Sequence, residues 1–235
     1  MVDTKKVRVT ILDDHQSIID GYLFRLSRVP QVEVVSTIMR GDEIEASLKD
    51  RPTDVLLLDV NVPTADDNPA PYPILHVIPS LLQKYPNLTI LVISMYAERR
   101  MIRAVMEAGA SGYILKDDYA SIQDLGNILM SVSNGGIYFS ENAHQSLLKG
   151  GGTDALTPLS SRQLEALSLS AAYPNNTTAD LARKMSIANS SMRNLLSGAY
   201  IKLGVQTRAG AITKARQIGI IPNDPSAPTV PVKNK

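Results

Sequence analysis

Five short apolar runs dominate the first half of the chain: VRVTIL (7–12), VEVVST (32–37), DVLLLD (54–59), LTILVIS (88–94) and GYIL (112–115). Helix-like stretches lie between and after them, at 16–27, 41–50, about 72–84, 98–108 and 119–134. Strands alternating with helices build βαβ units on a parallel sheet. The runs are continuous rather than alternating, the pattern of strands covered on both faces. The texture then changes. SENAHQSLLKGGGTDALTP (140–158) is polar and glycine-rich and reads as a linker. From Ser160 to Ile221 there are only helical patterns, and the proline-rich end PNDPSAPTVPVKNK (222–235) has no apolar periodicity. The expected organisation is an α/β domain over 1–136, a linker over 137–158, an all-α domain over 159–221 and a disordered tail over 222–235.

Composition narrows the chemistry. The chain has 235 residues, 44% of them hydrophobic, enough for two domains. No run approaches the roughly 18 to 20 apolar residues of a membrane span, and the N-terminus is a poor signal peptide, so the expectation is a cytoplasmic protein. There are no cysteines, which removes disulfides and thiolate metal sites. The three histidines, His15, His76 and His144, are scattered. Charge is uneven: residues 1–136 carry 13 Lys and Arg against 18 Asp and Glu, and residues 137–235 carry 11 against 5. The basic second half suits a polyanion partner.

In an open parallel sheet, ligands sit at the carboxyl ends of the strands. The first run ends in Asp13 and Asp14, the third in Asp59 and the fourth in Ser94, and the fifth leads into Lys116. Three carboxylates, a hydroxyl and an ammonium therefore share one edge. Carboxylates gathered in this way repel one another unless a cation lies among them. A hard divalent ion with oxygen ligands, Mg²⁺, meets that need.

The strings LDD (12–14), LLLDVNVP (56–63), VIS (92–94) and GYILK (112–116) resemble, in order and spacing, the receiver domain of two-component response regulators. The second half resembles the LuxR-type helix-turn-helix output domain of the NarL/FixJ-like members. LSSRQLEALSLSAA (159–172) is similar to its opening helix and TTADLARKM (177–185) to the scaffold helix. SIAN (186–189) is similar to the turn, SSMRNLLSGAYIKLGV (190–205) to the recognition helix and TRAGAITKARQIGII (207–221) to the fourth helix. The resemblance implies a flavodoxin-like, doubly wound parallel five-stranded sheet of order 2-1-3-4-5, followed by a four-helix domain. It implies Asp59 as phosphoacceptor, with Mg²⁺ held by Asp13, Asp14, Asp59 and the Asn61 backbone carbonyl. Lys116 would neutralise a phosphoryl oxygen. Ser94 would be the switch hydroxyl, drawn to the phosphate, and Tyr113 the switch aromatic that turns inward once Ser94 has moved.

The implied partners are a sensor histidine kinase, double-stranded DNA and a second copy of the chain, in a homodimer favoured by phosphorylation. Ser190, Ser191, Arg193, Asn194, Ser197 and Lys202 are the expected DNA contacts, with Arg193 able to reach a guanine edge. Leu195 stands where the family usually has His, and Gly198 where a basic or polar residue is common. Turnover is not expected: DVNV (59–62) is close to the D-x-D motif of aspartate-nucleophile phosphatases, but Asn61 cannot exchange a proton. The alternative is a phosphorylation-independent interaction protein with an atypical receiver. The segment TADDNPAPYP (64–73) departs from the family, being longer and without glycine. Three prolines predict an extended, stiff loop. It is expected to hang over Asp59, where Asp66 and Asp67 would slow non-cognate phosphodonors.

Overall fold

The computed structural model describes residues 6–148, 159–205 and 207–223, without the side chains of Asn189, Ser190, Arg193, Asn194, Ser197 and Ile201. The chain begins β1 (Val7–Leu12), α1 (Gln16–Leu26), β2 (Val32–Ile38), a 3₁₀ turn at 41–43, α2 (Ile44–Asp50) and β3 (Val55–Asp59). A hairpin of β4 (Pro63–Ala65) and β5 (Asn68–Pro71) follows. Next come α3 (Ile74–Lys84), β6 (Thr89–Ser94), α4 (Arg99–Glu107), β7 (Gly112–Leu115), α5 (Tyr119–Gln123), α6 (Leu125–Ser133), β8 (Tyr138–Phe139) and α7 (Glu141–Leu148). The rest is helical: α8 (Ser161–Ala172), α9 (Thr178–Lys184), α10 (Asn189–Leu203) and α11 (Arg208–Gln217).

The main sheet is parallel, in the order β2-β1-β3-β6-β7-β8. The expected five strands are there in the expected order, and β8 adds a sixth. Alternate strand residues feed two cores. Leu12, Leu56, Leu58, Ile90, Val92, Tyr113 and Leu115 pack on α2, α3 and α4. Val7, Val9, Ile11, Val55, Leu57, Leu91, Ile93 and Ile114 pack on α1 and α6. Both faces are covered, so every second residue must be apolar in both phases, and this produces the continuous runs.

Residues 137–148, expected within a linker, instead carry β8 and α7. Two residues make too short a strand to leave a pattern, and its anchors are not local. Ser140 donates its amide to the Tyr113 carbonyl (3.0 Å), its hydroxyl accepts from the Leu115 amide (3.0 Å), and Ala143 is fully buried. The single helix expected over 119–134 is divided into α5 and α6 at Asp124.

The proline-rich segment, expected as an extended overhanging loop, folds back on itself as an antiparallel hairpin. Thr64 closes it by donating its hydroxyl to the Ala70 carbonyl (2.7 Å). Asp66 pairs with Arg40 (2.8 Å), and the Asn68 side-chain amide donates to the Ala172 carbonyl at the end of α8 (3.1 Å). None of its hydrogen bonds among the described residues reaches Asp13, Asp14 or Asp59. Tyr72, just beyond the hairpin, lies flat on Gly41, where no Cβ has room.

The helical unit has its own core of Ala166, Leu169, Leu181, Ala182, Met185, Met192 and Leu196. Ser160 and Thr177 cap α8 and α9 through reciprocal bonds with Gln163 and Asp180. The turn into α10 takes Ser186 to φ 53°, a left-handed conformation that side chains adopt at a cost. The two units close on each other. Leu164, Leu167, Ala171, Leu203, Ala211, Ala215, Ile220 and Ile221 join the same core as α3 and α4. His76 on α3 lies 2.7 Å from Glu165 on α8, whose other oxygen accepts from Arg162 (2.9 Å). The Asn223 amide donates to the Tyr96 hydroxyl (2.7 Å).

Two predictions follow from this packing. Gly41→Ala drives a methyl group into the Tyr72 ring, and overpacking of this kind costs about 1–3 kcal/mol. Urea unfolding should show that loss, and an unchanged midpoint would mean that Tyr72 moves aside freely. The second concerns Glu165. Burial alone would raise its carboxyl, but hydrogen bonds from His76 and Arg162 outweigh it and hold the group below the ordinary carboxylate range. A carboxylate depressed in the folded state stabilises above its unfolded value, near about 4.3, and loses that contribution as pH falls through the depressed one. The closed packing should therefore loosen in scattering profiles as pH falls below the ordinary carboxylate range. Glu165→Gln should be looser already at neutral pH and respond less to acid.

Candidate functional site

The parallel register brings the polar strand ends together. Leu12 pairs with Leu58, Asp59 with Ile93 and Ser94 with Leu115, so Asp13, Asp59, Ser94 and Lys116 emerge at one edge. Lys116 Nζ lies 2.6 Å from Asp13 Oδ2 and 2.7 Å from Asp59 Oδ2. Asp13 and Asp59 are nearly inaccessible, at 1% and 5% exposure. Asp13 Oδ1 accepts the His15 amide (3.0 Å), and Asp59 Oδ1 faces the Asn61 amide at 3.4 Å. Asp14 holds His15 Nδ1 at 2.6 Å. The ligand atoms of Asp13, Asp14 and His15 lie within 4.8 Å of one another. His15 was not singled out from the sequence, although its place next to Asp14 was a signal of proximity. Asn61 Oδ1 is buried without a hydrogen-bond partner among the described residues.

Electrostatics follow from burial. Desolvation lifts the Asp59 carboxyl above its ordinary value, and the neighbouring Asp13 adds to it, against the charge and hydrogen bond of Lys116. Burial pulls the Lys116 ammonium down, but the two carboxylates together outweigh it and leave it raised. The result is a charged cluster in which one cation holds two anions that cannot leave.

Residues 9–125 match the family model described as "Response regulator receiver domain". The N-terminal half of the chain is a response regulator receiver domain. Over almost its whole length the chain is similar to the transcriptional regulatory protein MctR of Rhizobium johnstonii, 27% identical over 94% of this chain and 98% of the relative. It is 26% identical to the DNA-binding transcriptional activator DevR/DosR of Mycobacterium tuberculosis, over 90% and 95%. RcsB of Salmonella enterica serovar Typhimurium, solved on promoter rprA with the phosphomimetic BeF₃⁻, shares the fold. Its TM-score is 0.64 at 20% identity, covering 89% of this chain and 98% of RcsB.

The receiver departs from the expected switch sequence in one respect. Tyr113 was expected to turn inward only after Ser94 had moved toward a phosphate. It is inward already: it is fully buried and donates its hydroxyl to the Tyr96 carbonyl (2.8 Å). Ser94 accepts the Tyr96 amide (3.1 Å), so the same loop satisfies both residues. The phenol thus finds a partner inside and gains the burial of its ring, and burial pushes its ionisation up.

Next to the receiver, α9 and α10 meet through the sharp turn at Ser186. Met192, Leu196, Ala199 and Leu203 form the inward stripe of α10. Ser191 is exposed on α10. The side chains of Ser190, Arg193, Asn194 and Ser197 lie outside the described residues. Lys202, one of the expected DNA contacts, lines a cleft against α4 of the receiver. Gly198 lies under the capping Gln163, whose Nε2 would be 2.6 Å from an added Cβ.

Lys116→Met should leave Asp13 and Asp59 facing each other without a cation, and breaking a buried ion pair costs about 3–5 kcal/mol. Chemical denaturation should show this loss. Adding Asp59→Asn should restore part of it, and strictly additive losses in the double variant would show that the pair is not coupled.

Proposed function

We propose that this chain is a phosphorylation-controlled, DNA-binding transcription regulator of a two-component system, with residues 1–136 as receiver and 159–221 as output domain. The observation that carries the reading is the position of Asp59. It is buried at the carboxyl edge of the sheet, with one oxygen on Lys116 and Asp13 across that ammonium. An Asp59 oxygen attacks the phosphorus of a phosphohistidine on a sensor kinase, and the imidazole leaves. Such transfer depends on position and charge neutralisation more than on covalent assistance.

The donor set fits Mg²⁺. Carboxylates from Asp13, Asp14 and Asp59 and the Asn61 backbone carbonyl are hard oxygen ligands, and the buried, unpartnered Asn61 amide oxygen marks a polar niche next to them. The ion supplies charge neutralisation to the phosphoryl oxygens. Lys116 holds a further oxygen, and Ser94, released from the Tyr96 amide, hydrogen-bonds the aspartyl phosphate. The new contacts change the loop that also holds Tyr113, a two-state element biased by one charge.

For the output, the near full-length similarity to transcriptional regulators and the α9–turn–α10 geometry support DNA as partner. Ser190, Ser191, Arg193, Asn194 and Ser197 are the candidate contacts, and Lys202 becomes available only when the cleft opens. Two copies on one duplex would read half-sites about 10 base pairs apart. Phosphoryl transfer from kinase to regulator belongs inside the cell, and the described residues contain no helix long and apolar enough to cross a membrane.

Incubation with a small acyl phosphate and Mg²⁺ should add one phosphoryl group to the wild type and none to Asp59→Ala. Equal labelling of the variant would move the site elsewhere. In binding assays Arg193→Ala should lose about 1–3 kcal/mol at the specific site and relax base preference. Uniform weakening on all sequences would instead make it a phosphate contact.

A further inference from the structure

A cavity of about 380 Å³ opens between the two units, within the size range of small-molecule sites. One wall is α4 of the receiver, with Arg99, Arg100, Arg103, Ala104 and Glu107. The other wall belongs to the output unit: Leu159 to Ser161 and Leu164 at the start of α8, Lys202 and Leu203 at the end of α10, and Ile218 and Ile220 beyond α11. Among the described residues the lining thus carries Arg99 and Arg103 on the same wall as the carboxylate of Glu107, with Arg100 and Lys202, which have partners of their own, at its margin and an apolar floor between the walls. Glu107 is already held by Arg103, whose Nε is 2.7 Å from it. Arg99 donates its Nε to the Leu147 carbonyl (3.1 Å). The terminal nitrogens of Arg99 and Arg103 make no hydrogen bond among the described residues. The amino end of α8 adds its positive dipole end to the same space.

We propose that this interdomain cleft is a binding site for a small organic monoanion, a carboxylate with an apolar body. Guanidinium forks match a carboxylate in two hydrogen bonds. Ala104, Leu164, Leu203, Ile218 and Ile220 take the body out of water. Glu107 in the wall disfavours a polyanion by direct repulsion, so phosphates and nucleotides fit less well. The carboxylate joins α4 to α8 and α10, and therefore binds only while the units are closed. It draws on Lys202, which the DNA-binding reading needs elsewhere; on that reading, ligand and DNA oppose each other with reciprocal strength.

The test is calorimetry on the full unphosphorylated chain with octanoate and 3-phenylpropionate, which distinguish an acyl from an aryl body, and with octanol, octylamine and inorganic phosphate as comparators. One carboxylate should bind per chain, at least about tenfold tighter than octanol, octylamine or phosphate. Arg99→Gln combined with Arg103→Gln should weaken it about tenfold or more, since a lost charged pair is worth more than 1.4 kcal/mol. Ala104→Leu, which fills the floor, should weaken it independently, with thermal melts confirming that both proteins are folded. No carboxylate binding, equal affinity for octanol, preference for phosphate, or full binding by both variants would each overturn the site. In a separate arm, carboxylate at 100 times its Kd should lower DNA affinity by up to about 100-fold. Calorimetric binding without any effect on DNA would leave the site in place and count against the DNA reading of Lys202.

Discussion

Asp13 and Asp59 share the ammonium of Lys116, and the rest of the receiver holds these three groups together. A parallel sheet covered on both faces has its polar residues only at its strand ends. Each helical crossover returns the chain so that the next strand ends at the same edge. The charges are therefore concentrated by topology rather than by local sequence: Asp13 and Lys116 lie more than 100 residues apart. Burial makes the repulsion between the carboxylates large, and the same burial makes the ammonium effective. A site of this kind is under electrostatic load, with each partner held by the charge of the others.

Much of this was legible from the runs alone. Continuous apolar segments ending in Asp13, Asp59 and Ser94 predicted both the strands and the edge, because period and chain exit are local properties. Helical spacing likewise predicts an inward stripe of Leu195, Leu196, Ala199 and Leu203 on α10; the last three are buried and Leu195 only partly so. What was not legible depends on distant partners. The strand β8 has two residues and exists because Tyr113 and Leu115 offer their backbone groups to Ser140. The linker composition around it pointed the other way. Tyr113 illustrates a different limit: its type and position are visible in the sequence, but its rotamer depends on the Tyr96 carbonyl. Lys202 illustrates a third, since a helix period places it outward but cannot say whether outward means solvent or another domain.

Closure of the two units makes this last limit functional. The apolar face of α8 contributes Leu164, Leu167 and Ala171 to the receiver's core cluster. An apolar contact of this extent is strong but non-directional. Direction comes from the polar pairs around it: His76 on Glu165, Asn68 on Ala172, and Asn223 on Tyr96. The Asn68 and Asn223 bonds are single neutral hydrogen bonds, each worth about 0.5–1.5 kcal/mol, whereas the His76–Glu165 pair is largely buried and is the contact whose loss loosens the units most.

The hairpin is the element that ties these contacts to the charged edge. From Asp59 the chain runs through buried Val60 and Val62 directly into β4. Nine residues after Asp59, Asn68 touches the end of α8. Prolines at 63, 69 and 71 remove backbone freedom from this short path, and the Thr64 hydroxyl pins its strands together. Tyr72, seated on Gly41, fixes the far end, and α3 with His76 begins two residues later. A stiff segment therefore links Asn61 to two of these three contacts, at Asn68 and His76. The remaining one, at Tyr96, lies on the loop shared by Ser94 and Tyr113. These three contacts, unlike that of Ser161 with Glu107, grow from segments that leave the charged edge, so the proline-rich insertion joins that edge to the contact between the units.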